Sequence, residues 1–452
     1  AIVITTKSGQ KGKGIGVEFS STYQTSDAYA PFMKLQNENG MGGYYRNGAF
    51  RSDGTQDYEN YSFGPKFDGT MHPVVYGVTG DSMMAPYISR PNNWKTFFHN
   101  ERYTNNNIAL SGASDKFHYR LGYSNTSDNG TLPKNGLDRN AVDVKVGREL
   151  NKVFSVEMGI NYSNTQWKNS YSQGRYDWPV GQNVGFNVFY MPRNTDFATW
   201  YKTYRNADNT IKGNNFGFVT NGFAYMDKNN FTNTQNSFLG FVQLKAQVNP
   251  WLDFSARGNI NDLKQNGVTK NYGNGRNNSG GQFAVSQSNA TNYDMLFIGH
   301  AVKQYGNFGV DFRVLNEYYG DLQGESSYAS TDGGLKVPNQ FFLANSMNAL
   351  VAYTPSNRND VGYSYNVPSQ LTIGLAGDLN LSYKDYLNLE LTGRNDWLST
   401  LTYPASVIGA ANNYSVFYPS ANLSYIFTSQ FRDAMPSWLS FGKIRASLAY
   451  VG

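Results

Sequence analysis

Apolar and polar residues alternate along most of the chain with a period of two residues, which is typical of β-strands. Phe154, Val156, Met158, Ile160 and Tyr162 are all apolar, and the residues between them are small, polar or charged. The same alternation recurs at 117–124, 142–147, 252–257, 308–314, 387–392 and 443–450. Each of these strands would therefore carry one apolar face and one face with ionisable groups.

The pattern predicts about thirteen strands, and their connections alternate between short and long. The strands are expected near 14–24, 104–112, 117–127, 141–149, 153–165, 237–248, 252–264, 292–302, 308–319, 369–383, 386–398, 416–428 and 441–450. Segments such as 112–116, 249–251 and 384–385 are tight turns, whereas 25–103 and 166–236 are long excursions. A β-sandwich also has polar faces, so the alternation in connection length is what favours an outer-membrane barrel. The predicted fold is all-β, a transmembrane antiparallel barrel with long extracellular loops and short periplasmic turns.

Composition agrees with a barrel and excludes several other classes of protein. Charged residues make up 16% of the chain and aromatic residues 15%, with 34 Tyr and 29 Phe. Tyrosines recur near the predicted strand ends, as an interfacial aromatic girdle requires; they are Tyr162, Tyr293, Tyr383, Tyr386 and Tyr418. The chain has no Cys, which excludes a disulfide scaffold and thiolate chemistry. The net charge of +5 is spread along the chain and does not indicate nucleic-acid binding.

No motif in the chain predicts catalysis, a cofactor or a metal site. The four His residues, His72, His99, His118 and His300, are dispersed and lack the spacing of metal ligands. "GKGIG" at 12–16 lacks the Lys-Ser/Thr of a phosphate-binding loop, and no GxSxG occurs. "STDGG" at 330–334 would suit a calcium loop, although turn chemistry explains it equally well. An outer-membrane enzyme and a soluble adhesin remain alternatives of other classes.

Several blocks of sequence resemble, in the same order, the SusC-like TonB-dependent outer-membrane transporters of Bacteroidetes. The blocks are "AIVITTKSGQKGKG" (1–14), "FGPKFDG" (63–69), the stretch 102–140, "GRNDWLSTL" (393–401), "FYPSANLSYIF" (417–427) and "GKIRASLAYVG" (442–452). The resemblance extends over essentially the whole chain, except for 166–236. Phe63 stands where that family usually has Trp.

The resemblance implies a barrel of 22 strands with an N-terminal plug domain. Residues 1–13 would be the C-terminal end of the plug and its link, and residues 14–452 the N-terminal part of the barrel. Because an odd, unclosed set of strands would leave open edges in lipid, we expect the chain to belong to a longer protein. The resemblance also implies active import of an oligosaccharide, with oligopeptide second, in contact with lipid and lipopolysaccharide. TonB in the periplasm and a SusD-like surface lipoprotein would be the protein partners, and no cofactor is expected.

The family loop motif consists of Phe63, Gly64, Pro65, Asp68 and Gly69. Proline fixes φ and glycine permits unusual backbone conformations, so this segment should hold one shape. It could dock on the lid lipoprotein or the plug, or pack within its own loop.

The aromatic-rich segment 166–206 is the best candidate for contact with a ligand. Rings beside polar groups suit sugar faces or peptide side chains. Most of these rings would form a small core for the loop itself, and the better candidates for ligand or lid contact are Trp178, Tyr190, Trp200 and Tyr201. Trp94, in the first long loop, is a weaker candidate for the lid interface.

Overall fold

The computed structural model describes most of the chain. The described residues are 15–28, 35–43, 48–50, 61–75, 82–170, 191–205, 207, 230–272, 281–322, 324, 326–353, 369–401 and 414–450. Residues 1–13, expected to be the end of a plug, lie outside this set.

The described part of the chain is mainly β-structure, with two short α-helices and four 3₁₀-helices. The strands are β1 Gly16–Ser26, β2 Met71–Val75, β3 Ser82–Pro86, β4 Glu101–Ala113, β5 Phe117–Asn129, β6 Gly136–Glu149, β7 Phe154–Lys168, β8 Asn230–Asn249, β9 Leu252–Asn271, β10 Gln282–Tyr305, β11 Phe308–Leu322, β12 Ser326–Ser330, β13 Val351–Tyr353, β14 Gln370–Tyr383, β15 Leu387–Leu398, β16 Ser415–Tyr425 and β17 Ile444–Ala449. The α-helices are α1 Phe197–Thr203 and α2 Phe427–Gln430, and the 3₁₀-helices are Asn93–Phe97, Leu343–Asn345, Ser399–Leu401 and Arg432–Ala434. None of these helices is long and apolar enough to span a membrane.

Thirteen strands form one antiparallel path, in the order β1-β4-β5-β6-β7-β8-β9-β10-β11-β14-β15-β16-β17. β12 pairs with β10 and β13, which makes a sheet of 15 strands, and β2 and β3 form a separate hairpin. Neighbours along the path are consecutive in the chain apart from these insertions, as in an up-and-down barrel wall. The all-β, antiparallel barrel fold expected from the sequence is confirmed, including its path of thirteen strands.

Three strands exceed their predicted lengths by the largest margins. β8 and β9 each have 20 residues and β10 has 24, so they continue into segments expected to be loops. The upper part of β10 pairs with β9 on one side and β12 on the other. Their added residues are largely Asn, Gln, Ser and Thr, which do not show an apolar period but can still pair through the backbone.

The register places the apolar residues of neighbouring strands side by side on one face. Phe19 lies opposite Ile108, Ile108 opposite Tyr123, and Tyr123 opposite Val142. The row continues through Tyr162 to Phe238. These side chains lack a protein cover: Phe19 is 71% exposed and Tyr162 is 43% exposed. We call this the lipid-side face, and the opposite, charged face the lumenal face.

One tyrosine expected in the aromatic girdle lies on the other face. Tyr418 is directly opposite Arg394, which belongs to the lumenal face. Phe417, the residue before it, points to the lipid side. Tyr418 therefore points to the lumen, because neighbouring strand residues point to opposite faces.

The tightly packed core lies in the long loops. The largest fully buried side chains are Trp200, Tyr87, Phe97, Phe197, Met41, Val75 and Asn194. All belong to the loops between β1 and β4 and between β7 and β8, on the rim opposite the tight turns. We call the described parts of these loops, residues 35–43, 61–75, 82–100 and 191–205, the loop platform.

Candidate functional site

The family loop motif is held by a backbone ladder with residues 38–42. Phe63 N–H donates to the Gly42 carbonyl at 3.0 Å, and Gly40 N–H donates to the Pro65 carbonyl at 3.0 Å. The hydroxyl of Tyr87, a residue with no exposed surface, donates to the same Pro65 oxygen at 3.1 Å. Gly40 must be small, because a Cβ there would lie 2.2 Å from the Tyr87 hydroxyl. The motif is therefore packed within its own loop.

Phe63 is the exception, since its side chain is 82% exposed. The ring stands on a segment that the ladder holds in place, which makes it a preformed apolar contact point. The motif packs within its own loop, which was one of the two alternatives, and docking of Phe63 on another protein stays a prediction.

A small polar network closes the other end of the motif. The Asp68 carboxylate accepts from the Thr70 N–H at 2.9 Å and lies 2.8 Å from Nε2 of His72. The hydrogen bond with His72 is the main reason that the pKa of Asp68 lies below its ordinary value of 3.8. Gly69 follows with φ of +74°, a conformation that glycine adopts without strain.

Arg193 and Asn194 join the two long loops. The Arg193 guanidinium donates to the Gln36 carbonyl and to Asn37 Oδ1, both at 3.1 Å. Asn194 Oδ1 accepts from the Met41 N–H at 2.7 Å. Burial lowers the pKa of Arg193, whose side chain is nevertheless held by acceptors from the first loop. Neither residue was singled out by its sequence context, because the contacts span more than 150 positions.

Two short helices pack together in the platform and carry three of the candidate residues. Ring centroids of Phe97 and Phe197 lie 4.6 Å apart, edge to face, and the Phe197 N–H donates to Asn93 Oδ1 at 3.1 Å. Trp94 is half-buried beside Phe98 in the 3₁₀-helix. In α1, Trp200 is only 1% exposed, whereas the next residue, Tyr201, is 50% exposed.

These positions divide the candidates for ligand or lid contact. Trp200 contributes its ring to the loop core beside Phe197, so its side chain does not present a face to a ligand in this conformation. Trp94 and Tyr201 keep accessible surface on adjoining helices. Trp178 and Tyr190 lie outside the described residues.

The lumenal face is lined by charged groups that pair with one another, mostly across strands. The main pairs are Arg120–Glu18 at 3.0 Å, Lys145–Glu157 at 3.3 Å, His300 with Asp253 and Asp311 at 3.0 Å each, and Arg394 with Glu317 at 2.7 Å and Asp396 at 2.8 Å. These pairs are partly solvated and each adds little stability. Their larger effect is to give the inner wall both signs of charge at close spacing.

A cavity of about 790 Å³ opens on this wall between β5 and β10. Arg257 stacks on the Phe241 ring at 4.2 Å, and the ring lies over Gly159, where a Cβ would be 2.3 Å from Cε1. Leu239 beside it is 46% exposed although it faces the lumen. The wall thus combines an apolar spot with Arg120, Lys145, Asp143, Glu157 and Asp294 around it.

The segment 330–334, which could be a calcium loop or an ordinary turn, is held by turn contacts. Asp332 Oδ2 accepts from Asn348 Nδ2 at 2.8 Å, and Gly333 and Gly334 both have positive φ. Among the residues that the structure describes, no group of three or more His, Asp or Glu side chains is arranged to hold a metal ion.

Comparison with known proteins bears on the fold. Protein-family models and curated proteins give no match to the sequence. Among solved structures, the RagAB peptide importer in its closed-closed state is similar over 98% of this chain and 48% of its own, with 14% identity and a TM-score of 0.68. Its open-open state gives the same TM-score and identity over 47% of that chain. The ferric citrate transporter FecA in unliganded form is similar over 72% of this chain and 39% of its own, with 12% identity and a TM-score of 0.41.

The fold assignment rests on the RagAB structures. The chain spans about half the length of the RagAB chain that it matches. This similarity supports the antiparallel β-barrel fold that the sequence predicted. The apolar face of the sheet is the surface that an outer-membrane barrel would turn toward lipid.

Proposed function

We propose that the chain forms barrel wall and loops of a TonB-dependent importer that moves a nutrient oligomer across the bacterial outer membrane. The observation that carries this proposal is the sheet itself: its lipid-side face is apolar and its lumenal face is lined by paired charges. Such a wall suits passage of a polar solute through a wet interior. The protein makes and breaks no bond in its cargo, so its action is capture, gating and release.

The loop platform would receive the cargo together with a surface lipoprotein of the SusD type. Phe63 offers an exposed ring on a segment held by the ladder with 38–42. Tyr201 and Trp94 lie on the packed helices of the same platform. Exposed aromatic side chains on a rigid support are typical anchors of protein interfaces. Energy would enter from the periplasm through TonB acting on a plug domain.

An oligopeptide is the cargo that the lumenal wall favours. Peptides carry termini and side chains of both charges together with apolar groups, and the cavity beside Phe241 offers Leu239 among Arg120, Asp294 and other charges. The similar RagAB protein is described as a peptide importer. An oligosaccharide, the cargo first expected from the resemblance, remains the second candidate, since the wall also carries Asn161, Asn259, Asn261 and Asn292.

Uptake by cells tests the import and the cargo together. A strain that lacks the gene is complemented with wild-type protein and given a labelled oligopeptide or a labelled oligosaccharide, with and without a protonophore. We expect peptide accumulation that requires the gene and that the protonophore abolishes. If only the oligosaccharide accumulates, the cargo is a glycan and not a peptide. If gene-dependent uptake continues in the presence of the protonophore, the import is not active.

Docking of the lid is tested by co-purification. Phe63→Ala should reduce recovery of the lipoprotein with the tagged transporter, because it removes the exposed anchor while leaving the backbone ladder intact. Phe342→Ala is the matched control, since Phe342 is 50% exposed on the loop between β12 and β13. Equal recovery with both variants would remove Phe63 from the interface.

A further inference from the structure

The lipid-side face changes character near the rim of the long loops. The outward row Tyr123, Val142 and Tyr162 marks its upper apolar level, and the two tyrosine hydroxyls donate to Asn140 at 2.8 Å and Asn236 at 2.9 Å. Above this row the same face becomes polar, and there a cavity of about 760 Å³ opens between the ends of β4 to β8.

Parity along the strands places this cavity on the lipid side. Asn129 is six residues beyond Tyr123, Lys168 six beyond Tyr162, and Asp138 four before Val142. Residues separated by an even number in a strand point to the same face. The cavity wall therefore continues the surface that faces lipid below it.

The height of the cavity can be taken from strand geometry. Four to six residues at about 3.3 Å each, on strands tilted by about 45°, raise these side chains about 9–14 Å above the tyrosine row. The headgroup layer of an ordinary phospholipid leaflet is only about 5–8 Å thick. The cavity thus lies at the level of a thicker headgroup, such as the sugars of an outer-leaflet glycolipid.

The lining of the cavity combines cations with amides. Arg102, Lys134 and Lys168 supply three positive charges and Asp138 supplies a carboxylate. Asp128 also borders the cavity, but its side chain points to the lumenal face, since it lies five residues beyond Tyr123. Lys168 pairs with Asp138 at 2.7 Å. Arg102 and Lys134 are exposed to solvent. The amides are Asn100, Asn129, Asn135, Asn169, Asn230 and Gln166. Guanidinium and ammonium groups bind phosphate, and amides can both donate to and accept from sugar hydroxyls.

A buried asparagine fixes the shape of the cavity. Asn169 is 4% exposed, donates from Nδ2 to the Lys134 carbonyl at 2.9 Å and accepts from the Phe231 N–H at 2.8 Å. Asn135 Nδ2 donates to the Asn169 carbonyl at 2.8 Å. Lys134 and Asn169 both hold positive φ, of 60° and 50°, which these contacts maintain. Three chain segments are thereby locked together before any ligand arrives.

We propose that this cavity binds the phosphorylated sugar headgroup of an outer-leaflet glycolipid of the lipopolysaccharide type. Arg102 and Lys134 hold phosphate, and the surrounding amides hold sugar hydroxyls. The site lies outside the lumen and adjoins the loop platform at His99 and Asn100. It requires only that the barrel stand in an outer membrane.

Native mass spectrometry of the full-length protein in detergent tests the proposal without measuring transport. The probes are a lipopolysaccharide with a phosphorylated inner core, the same molecule with its phosphates removed, and soluble glucosamine 1-phosphate. The wild-type protein should prefer the phosphorylated lipid over both other probes. The double variant Arg102→Gln/Lys134→Asn should bind that lipid about ten-fold more weakly, because two charge-assisted contacts are lost. Asn is chosen at 134 because it tolerates positive φ.

Lys264→Gln is the matched control. Lys264 lies on the same face of β9, four residues from Ile260, but outside the cavity. An unchanged affinity of the double variant, or an equal loss in Lys264→Gln, would overturn the site. Equal binding of the dephosphorylated lipid would show that the cavity does not recognise phosphate. Preference for the soluble sugar phosphate would show that the ligand is not a lipid. If the double variant does not yield a heat-modifiable barrel, the two single variants are measured against the same outcomes.

Discussion

At the scale of single residues, the Asp68–His72 contact makes the family loop motif sensitive to acid. The pKa of Asp68 is lowered, first by the hydrogen bond with His72 and then by the Thr70 N–H. Because the pKa is lower in the folded loop, the contact contributes its full stability above the ordinary value of 3.8, and this stability is lost as the pH falls through the lowered pKa of the folded loop. We therefore expect the Thr70 amide to be less protected from hydrogen exchange at pH 3 than at pH 6. The measurement is its protection factor, which is the exchange rate corrected for the intrinsic dependence on pH.

The variant Asp68→Asn isolates this effect. It cannot ionise, so its loop should show the weaker protection at both pH values. If the wild-type protein and Asp68→Asn have the same pH dependence at Thr70, then the carboxylate does not control the turn.

Gly159 tests how the apolar spot on the lumenal wall is held. Gly159→Ala would place a Cβ 2.3 Å from Phe241 Cε1, so the ring must move and its stacking with Arg257 is lost. Overpacking of this kind lowers the free energy of unfolding by about 1–3 kcal/mol. Rotation of the Phe241 ring would reduce this cost. The measurement is the temperature at which the folded barrel band disappears on electrophoresis. Gly258→Ala is the control, because nothing lies within 4 Å of its Cβ position, and it should not lower that temperature.

At the scale of elements, α1 depends on a capping residue that also holds the first long loop. The Asp196 carboxylate accepts from the N–H groups of Ala198 at 3.1 Å and Thr199 at 3.2 Å, and it pairs with Arg90 at 3.2 Å. Loss of such a cap costs about 0.5–2 kcal/mol, whereas a partly exposed ion pair contributes about 0–1 kcal/mol. Asp196→Ala should therefore expose α1 to limited proteolysis.

Asp196→Asn separates the two contributions. Asparagine keeps a side-chain oxygen for the cap but has no charge for Arg90. We expect it to resist proteolysis nearly as well as the wild-type protein. Cleavage as fast as in Asp196→Ala would assign the stability of α1 to the ion pair instead.

The elements that could be predicted from sequence are those with a strong local period. The alternation around Phe154–Tyr162 and Leu387–Leu391 fixes both the strand and its outward face, because exposed apolar residues must meet lipid. The tops of β8 to β10 were missed, since residues such as Gln235 and Gln265 pair across strands without an apolar period. The platform was missed for another reason: Arg193 and Gln36 are 157 positions apart, and neither has a local signal for the other.

The same distinction explains the candidate residues. Sequence composition identified the aromatic-rich loop but could not separate a core ring from a surface ring. Trp200 and Tyr201 are neighbours in α1, yet one is buried and the other is half-exposed, because a helix turns about 100° between consecutive residues. Trp200 is the one that points into the core because Phe197 and Phe97 pack on that side of the helix.

At the scale of the whole molecule, the two faces of the barrel wall should tolerate charge very differently. Ile160 and Asn161 are consecutive in β7, with Ile160 48% exposed on the lipid side and Asn161 lining the lumenal cavity. A lysine on the lipid face costs up to about 2–4 kcal/mol at the bilayer midplane and less toward the interface, and Ile160 lies two residues below the tyrosine row; a lumenal lysine remains in water beside Asp143 and Glu157. We therefore expect Ile160→Lys to reduce the amount of folded protein in the outer membrane and Asn161→Lys to leave it near the wild-type level. The yield of heat-modifiable barrel per cell measures both. Similar losses in the two variants would mean that β7 does not separate lipid from lumen, and the reversed order would mean that the sheet faces the other way.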